Sequence, residues 1–130
     1  MQVLGRPFEL ITQGEDPICG QCCVSMITGE SLEEIIETIG AGPTGPYERR
    51  NVLNRYGIAQ TRRYRFHQRI LCQPGIIHVY NGSRGNRPDF RHVAVLSDEG
   101  IVADPVGVVL PWQEYLVGRD AIAIWHLRRM

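Results

Sequence analysis

The sequence has no net charge, no long apolar run and no internal repeat. Its 14 basic residues balance 14 acidic ones, so no global field recruits nucleic acid or an anionic membrane. No apolar stretch approaches the roughly 20 residues that span a bilayer. The N-terminal MQVLGRPFEL lacks the basic start and apolar core of a secretory signal. A cytoplasmic setting with free thiols is therefore the default expectation, with export as an effector the alternative. No linker-like segment interrupts the 130 residues. That length suits one domain, residues 1–130, around one hydrophobic core.

Cysteine is scarce but concentrated. Of four cysteines, Cys19, Cys22 and Cys23 fall within the stretch QGEDPICGQCCVSM, and Cys72 stands apart. Cys19 and Cys22 form a C-x-x-C, the spacing of half a zinc site, but no matching pair follows. Cys72 with His67 or His78 would complete only an irregular ligand set, so neither a metal nor another cofactor is expected. Free cysteine is often buried, and Cys22 and Cys23 are expected to pack in a core.

The chain changes character midway. Cys19 to Thr28 sets Cys19, Cys23, Met26 and Ile27 on one face at helical spacing. SLEEIIETIG offers Ser31 as N-cap, Glu34 at the capping-box position and Gly40 as a stop. A third helix is predicted from about Pro46 to Tyr56, ended by Gly57. The second half reads as strands: AQTRRYRFH loosely, then GIIHVY, HVAVLSDEGIVAD and AIAIWHL, with the loop YNGSRGNRPDF between two of them. Helices followed by strands imply an α+β domain with helices packed on an antiparallel sheet.

Cysteine chemistry needs a thiolate, a base, a group that orients the base and donors for the oxyanion. Cys19 stands at the expected first turn of a helix, where the dipole favours the thiolate. Pro17 restricts the approach and Gly20 keeps the turn uncrowded. Of four histidines, His92 has the best context, closing a polar loop and opening the strand HVAVL. If HVAVLSDEGIVAD turns at SDEG, Asp104 lies beside His92 across a strand pair and can hold the imidazole in its tautomer. Gln13 can supply a side-chain N–H to the oxyanion. His78 ranks second as base, and His126 reads as structural or exposed. Trp112 and Trp125 read as core anchors, with Trp112 the candidate to line the cleft.

These residues resemble the papain-like cysteine peptidases, above all the compact bacterial domains that remove double-glycine leaders from bacteriocins. Those domains open with Gln, a short polar stretch and Asp-Cys-Gly-x-x-Cys-hydrophobic-x-Met. Here Gln13, Cys19, Gly20, Cys23 and Met26 keep that spacing, with Ile18 in place of the acidic residue. PGIIHV, HVAVL and ADP follow in the family's order, so the likeness runs from about Gln13 to Trp125. It implies a papain-like fold with Cys19 as nucleophile, His92 as base and then acid, Asp104 as orienting carboxylate and Gln13 as oxyanion donor. Larger papain relatives make the second cysteine of a Cys-Gly-x-Cys the nucleophile, which would nominate Cys22. Both groups place the nucleophile six residues after the glutamine, and that position is Cys19.

The implied activity is hydrolysis through a cysteine thioester, on a peptide bond or on a glutamine side-chain amide. The expected partner is a protein or peptide substrate. A short domain without transporter segments would suit a bacterial toxin or effector, for which a cognate inhibitor or immunity protein is expected. A papain-like module that binds peptide without cutting it is the contrasting possibility. The basic and aromatic run RRYRFHQR, residues 62–69, raises an RNA-directed toxin. The balanced charge favours a solvated edge strand instead.

Overall fold

Helix α1 (Cys19–Thr28) lies in the middle of the molecule, with every residue from Gly20 to Ile27 buried. The sequence pattern assigns it one apolar face, but the surroundings close over all of it. The computed structural model describes residues 1–65, 73–81 and 92–130. Within these, α1 packs against α2 (Leu32–Ile39) and α3 (Pro46–Arg55) on one side and the sheet on the other. The Ser31 side chain accepts from the Glu34 N–H at 3.2 Å, which caps α2 as expected. Pro46 opens α3, and Gly57 follows it with φ of 74°, a conformation that costs glycine little.

Strands β3 (Ile58–Gln60), β4 (Tyr64–Arg65), β5 (Gly75–Asn81), β6 (His92–Leu96), β7 (Ile101–Asp104), β8 (Val108–Pro111) and β9 (Arg119–Arg129) form one sheet. Its order is β3-β9-β5-β6-β7-β8, with β4 also on β9. Every pairing is antiparallel. Alternation along the strands separates two apolar layers. Ile76, Val93, Val95 and Trp125 face the helices, while Ile77, Ala94, Leu96 and Val102 face a second cluster built around Tyr115. Cys22 and Cys23 are both fully buried in the helical layer, as expected.

Three elements go beyond the sequence reading. An N-terminal hairpin, β1 (Gln2–Val3) and β2 (Arg6–Pro7), turns through Leu4 and Gly5, both at positive φ. Its Arg6 donates to the carbonyls of Met26 and Ile27, each at 2.6 Å, and so closes the end of α1. Strand β8 leads into the short helix α4 (Trp112–Tyr115), which covers the far face of the sheet. Tyr64 and Arg65 are exposed, as a solvated edge strand requires, and residues 66–72, with His67 and Cys72, lie outside the described residues. So does most of the loop YNGSRGNRPDF. Among the described residues no helix is long and apolar enough to cross a membrane, and no three His, Cys, Asp or Glu side chains converge as a metal site.

Candidate active site

Cys19 is the first residue of α1 and opens onto a cleft of about 740 Å³ between the helices and the sheet. Neither of the other described cysteines reaches it. Burial pushes the Cys22 thiol up to about 12 and the Cys23 thiol well above its ordinary range. Cys19, the first residue of the helix, thus meets the cleft, while Cys22 in the same turn lies sealed beneath it.

Gly20 makes this helix start fit. A Cβ added there would come within 2.0 Å of the Thr44 hydroxyl and 3.6 Å of the Arg49 side chain. Gly20→Ala is therefore expected to destabilise the fold by about 1–3 kcal/mol through overpacking, although alanine is the better helix former. Urea unfolding measures the difference. A gain in stability would mean that the Thr44 loop yields freely.

His92 begins β6 and shares the cleft wall with Cys19, near enough to act on its thiol. Its Nε2 bonds Asp104 Oδ1, which leaves Nδ1 for the sulfur. The β6–β7 register pairs Val95 with Ala103 and Leu96 with Val102, so His92 reaches Asp104 diagonally across the pair. Asp104 is fully buried and well supplied with donors. Besides His92, its Oδ1 accepts from the Val106 N–H at 2.9 Å, and its Oδ2 accepts from the Tyr115 hydroxyl. Tyr115 on α4 thus holds the Asp104 carboxylate from the far side of the sheet, and nothing in its sequence context signals this.

The electrostatics follow from these contacts. Burial opposes ionisation of Cys19, but the hydrogen bond with His92, the Val93 N–H and the charges of His92 and Arg49 outweigh it, and the thiol falls below its ordinary value. Burial also opposes a charged His92, and the bonds to Asp104 and Cys19 overcome it, lifting the imidazole to about 9. Asp104 is held below the usual carboxylate range: its own burial acts upward, and His92 and Tyr115 act downward more strongly. These shifts all act in the direction of a thiolate–imidazolium pair over an ionised carboxylate.

Gln13 lines the same cleft. Its backbone N–H donates to the Pro105 carbonyl at 2.8 Å, tying its segment to the loop just after Asp104. Its Nε2 donates to the Asp16 carbonyl at 3.1 Å, and an amide carries a second N–H for another acceptor. The Cys19 N–H, at the first helical residue, is free of an intrahelical acceptor by position. His78 also lines the cleft, its ring stacked on Trp125 with centroids 6.0 Å apart, whereas the histidine that acts on Cys19 is His92. Trp125, not Trp112, forms cleft wall; Trp112 packs into the second apolar cluster. His126 is buried in β9.

By sequence the chain matches no protein-family model and no curated protein. By structure it is similar to a double glycine motif protease from an AMS/PCAT transporter, solved as a crystal structure in complex with the leader peptide. That match covers 95% of this chain and 93% of the other, with a TM-score of 0.67 and 19% identity. The fold is papain-like. A papain-like α+β fold retained at such low identity shows that the architecture, helices first and antiparallel sheet second, tolerates wide change in sequence.

Proposed function

We propose that this chain is a cysteine peptidase that cleaves a peptide through a thioester on Cys19. The observation that carries the reading is the line from a thiol at a helix start, through His92 on the wall of the same cleft, to an Asp104 buried behind it. The papain-like neighbour with its leader peptide supports a peptide occupant.

In this mechanism the Cys19 thiolate attacks the scissile carbonyl carbon. The Cys19 N–H and the Gln13 amide donate to the oxygen that takes the negative charge. The His92 imidazolium gives its proton to the departing amine, and the C–N bond breaks to leave an acyl-enzyme. Neutral His92 then takes a proton from water, whose oxygen attacks the thioester and returns Cys19 as thiolate. Asp104 keeps the ring oriented and stabilises its charged form throughout.

A glutamine side-chain amide would enter the same thioester route with ammonia as the leaving group, and a toxin or effector met by an inhibitor protein would use the same site. Incubation of a bacterial or host proteome with wild type and with Cys19→Ala, read by mass spectrometry, separates these cases. Peptidase activity predicts new termini that Cys19→Ala fails to produce. A gain of about one dalton on intact glutamine residues would assign deamidation instead, and identical proteomes would leave a peptide-binding module.

A further inference from the structure

The cleft holds a charge that the reaction above does not require. Arg49 on α3 is only 2% exposed, yet it lines the cleft beside Cys19. Its guanidinium lies 5.1 Å from the centroid of the Trp125 ring. Nη1 makes long contacts to the Thr44 carbonyl and hydroxyl, at 3.3 and 3.5 Å, and the buried Nε has no acceptor among the described residues. Among those residues no carboxylate pairs with Arg49 either. A buried cation without an anionic partner is costly. Burial acts against its charge, and Cys23, Cys19 and Glu48 favour that charge only from a distance, since none of them hydrogen-bonds the guanidinium. Among the described residues the cleft wall contains no Asp or Glu, while Arg63 adds a second positive charge.

We propose that Arg49 is a carboxylate-binding residue of this cleft, which takes an anionic group of the substrate, an acidic side chain or a chain-terminal carboxylate, close to the bond that Cys19 attacks. The guanidinium offers a planar fork of N–H donors suited to a carboxylate. Trp125 and Thr44 fix its orientation, and Gly20 lets α1 and the Thr44 loop close around it. The proposal rests on the hydrolase reading only for Cys19 as the reacting group.

Two alkylating reagents of nearly equal size test it. In each the Cys19 sulfur forms a bond to the CH2 carbon and iodide leaves, but iodoacetate carries a carboxylate and iodoacetamide a neutral amide. Relative to a free cysteine thiol, wild type is expected to favour iodoacetate over iodoacetamide by about tenfold more. Arg49→Gln is expected to slow both reagents and to lose that excess, Arg49→Lys to keep part of it, and Arg63→Gln, at an exposed position, to keep most. The His92 charge is present in all of these proteins, so the change in the ratio isolates Arg49.

An iodoacetate preference that is the same in wild type and Arg49→Gln would overturn the proposal and leave Arg49 a structural or thiolate-stabilising residue. Should Arg49→Gln fail to fold, protection of wild-type Cys19 from iodoacetamide decides. N-acetylglutamic acid α-amide should protect at concentrations where N-acetylglutamine amide does not, and equal protection overturns the proposal. N-acetylglycine in a third arm tells a chain-terminal carboxylate from a side-chain one. Slow labelling indifferent to His92→Ala would count against the hydrolase reading, while the ratio of the two reagents would still report on Arg49.

Discussion

His92→Ala is expected to lower turnover by at least about a hundredfold and up to ten-thousandfold, the range for a positioned acid–base group, and to move the thiol titration toward alkali. In the wild type the thiolate exists below the ordinary thiol range because His92 bonds it and carries a charge against burial. Without the ring, only the Val93 N–H and the Arg49 charge oppose burial, and the thiol rises. Wild-type activity should therefore climb with pH as Cys19 ionises, at a value below 9.0, and fall again near 9 as His92 loses the proton owed to the leaving amine. The variant should lack the first rise at low pH. Alkylation by iodoacetamide across pH measures the thiol alone, without a substrate. Superimposable wild-type and variant curves would mean that His92 does not govern the sulfur.

Much of this arrangement was legible in the sequence because it is set by local signals. Cys19 starts α1 where Pro17, Gly20 and the apolar pattern placed it. The turn at SDEG brings Asp104 within reach of His92, although along the diagonal rather than directly opposite. What escaped notice depends on tertiary placement. Tyr115 reaches Asp104 only because β8 and α4 fold across the back of the sheet, and no periodicity in VVLPWQEYL announces that. Arg49 stands beside Arg50 in the sequence, yet Arg50 is exposed over Tyr47 while Arg49 is buried. One signal for it did exist, since Arg49 shares the face of α3 that buries Val52 and Leu53 at the three- and four-residue spacing. The N-terminal hairpin was missed for a different reason. Two-residue strands carry too little pattern, and this hairpin is held by the Asp98 carboxylate, which accepts from the Leu4 and Gly5 N–H groups across 94 and 93 residues.

Asp104 variants should separate folding from chemistry by which atoms they leave behind. Asp104→Ala strips the acceptor from His92, the Tyr115 hydroxyl and the Val106 N–H at once, in a site closed to water. Leaving a buried charge unpaired costs about 3–5 kcal/mol, so Tm should fall by roughly 10–20 °C. Asp104→Asn keeps the volume and one carbonyl oxygen for Tyr115 or Val106, and its stability loss should be smaller. Its amide can present an N–H to His92 Nε2, which selects the neutral ring and the wrong tautomer, and turnover should drop by about 10³–10⁴-fold. The pH profile carries the sign. Burial pulls His92 down, and Asp104 is the leading group that pulls it up to about 9; with asparagine the alkaline limb should shift toward acid. The wild-type stability profile follows the same contacts. The depressed Asp104 value stabilises the fold above the unfolded carboxylate range, a contribution lost as pH falls through the native value. The raised His92 value stabilises it below 6.5, a contribution lost as pH rises through about 9. Chemical denaturation of the three proteins from acid to alkali, alongside their alkylation rates, checks both halves. A well-folded Asp104→Asn protein that keeps full thiol reactivity and an unmoved alkaline limb would reduce Asp104 to a structural anchor for Tyr115.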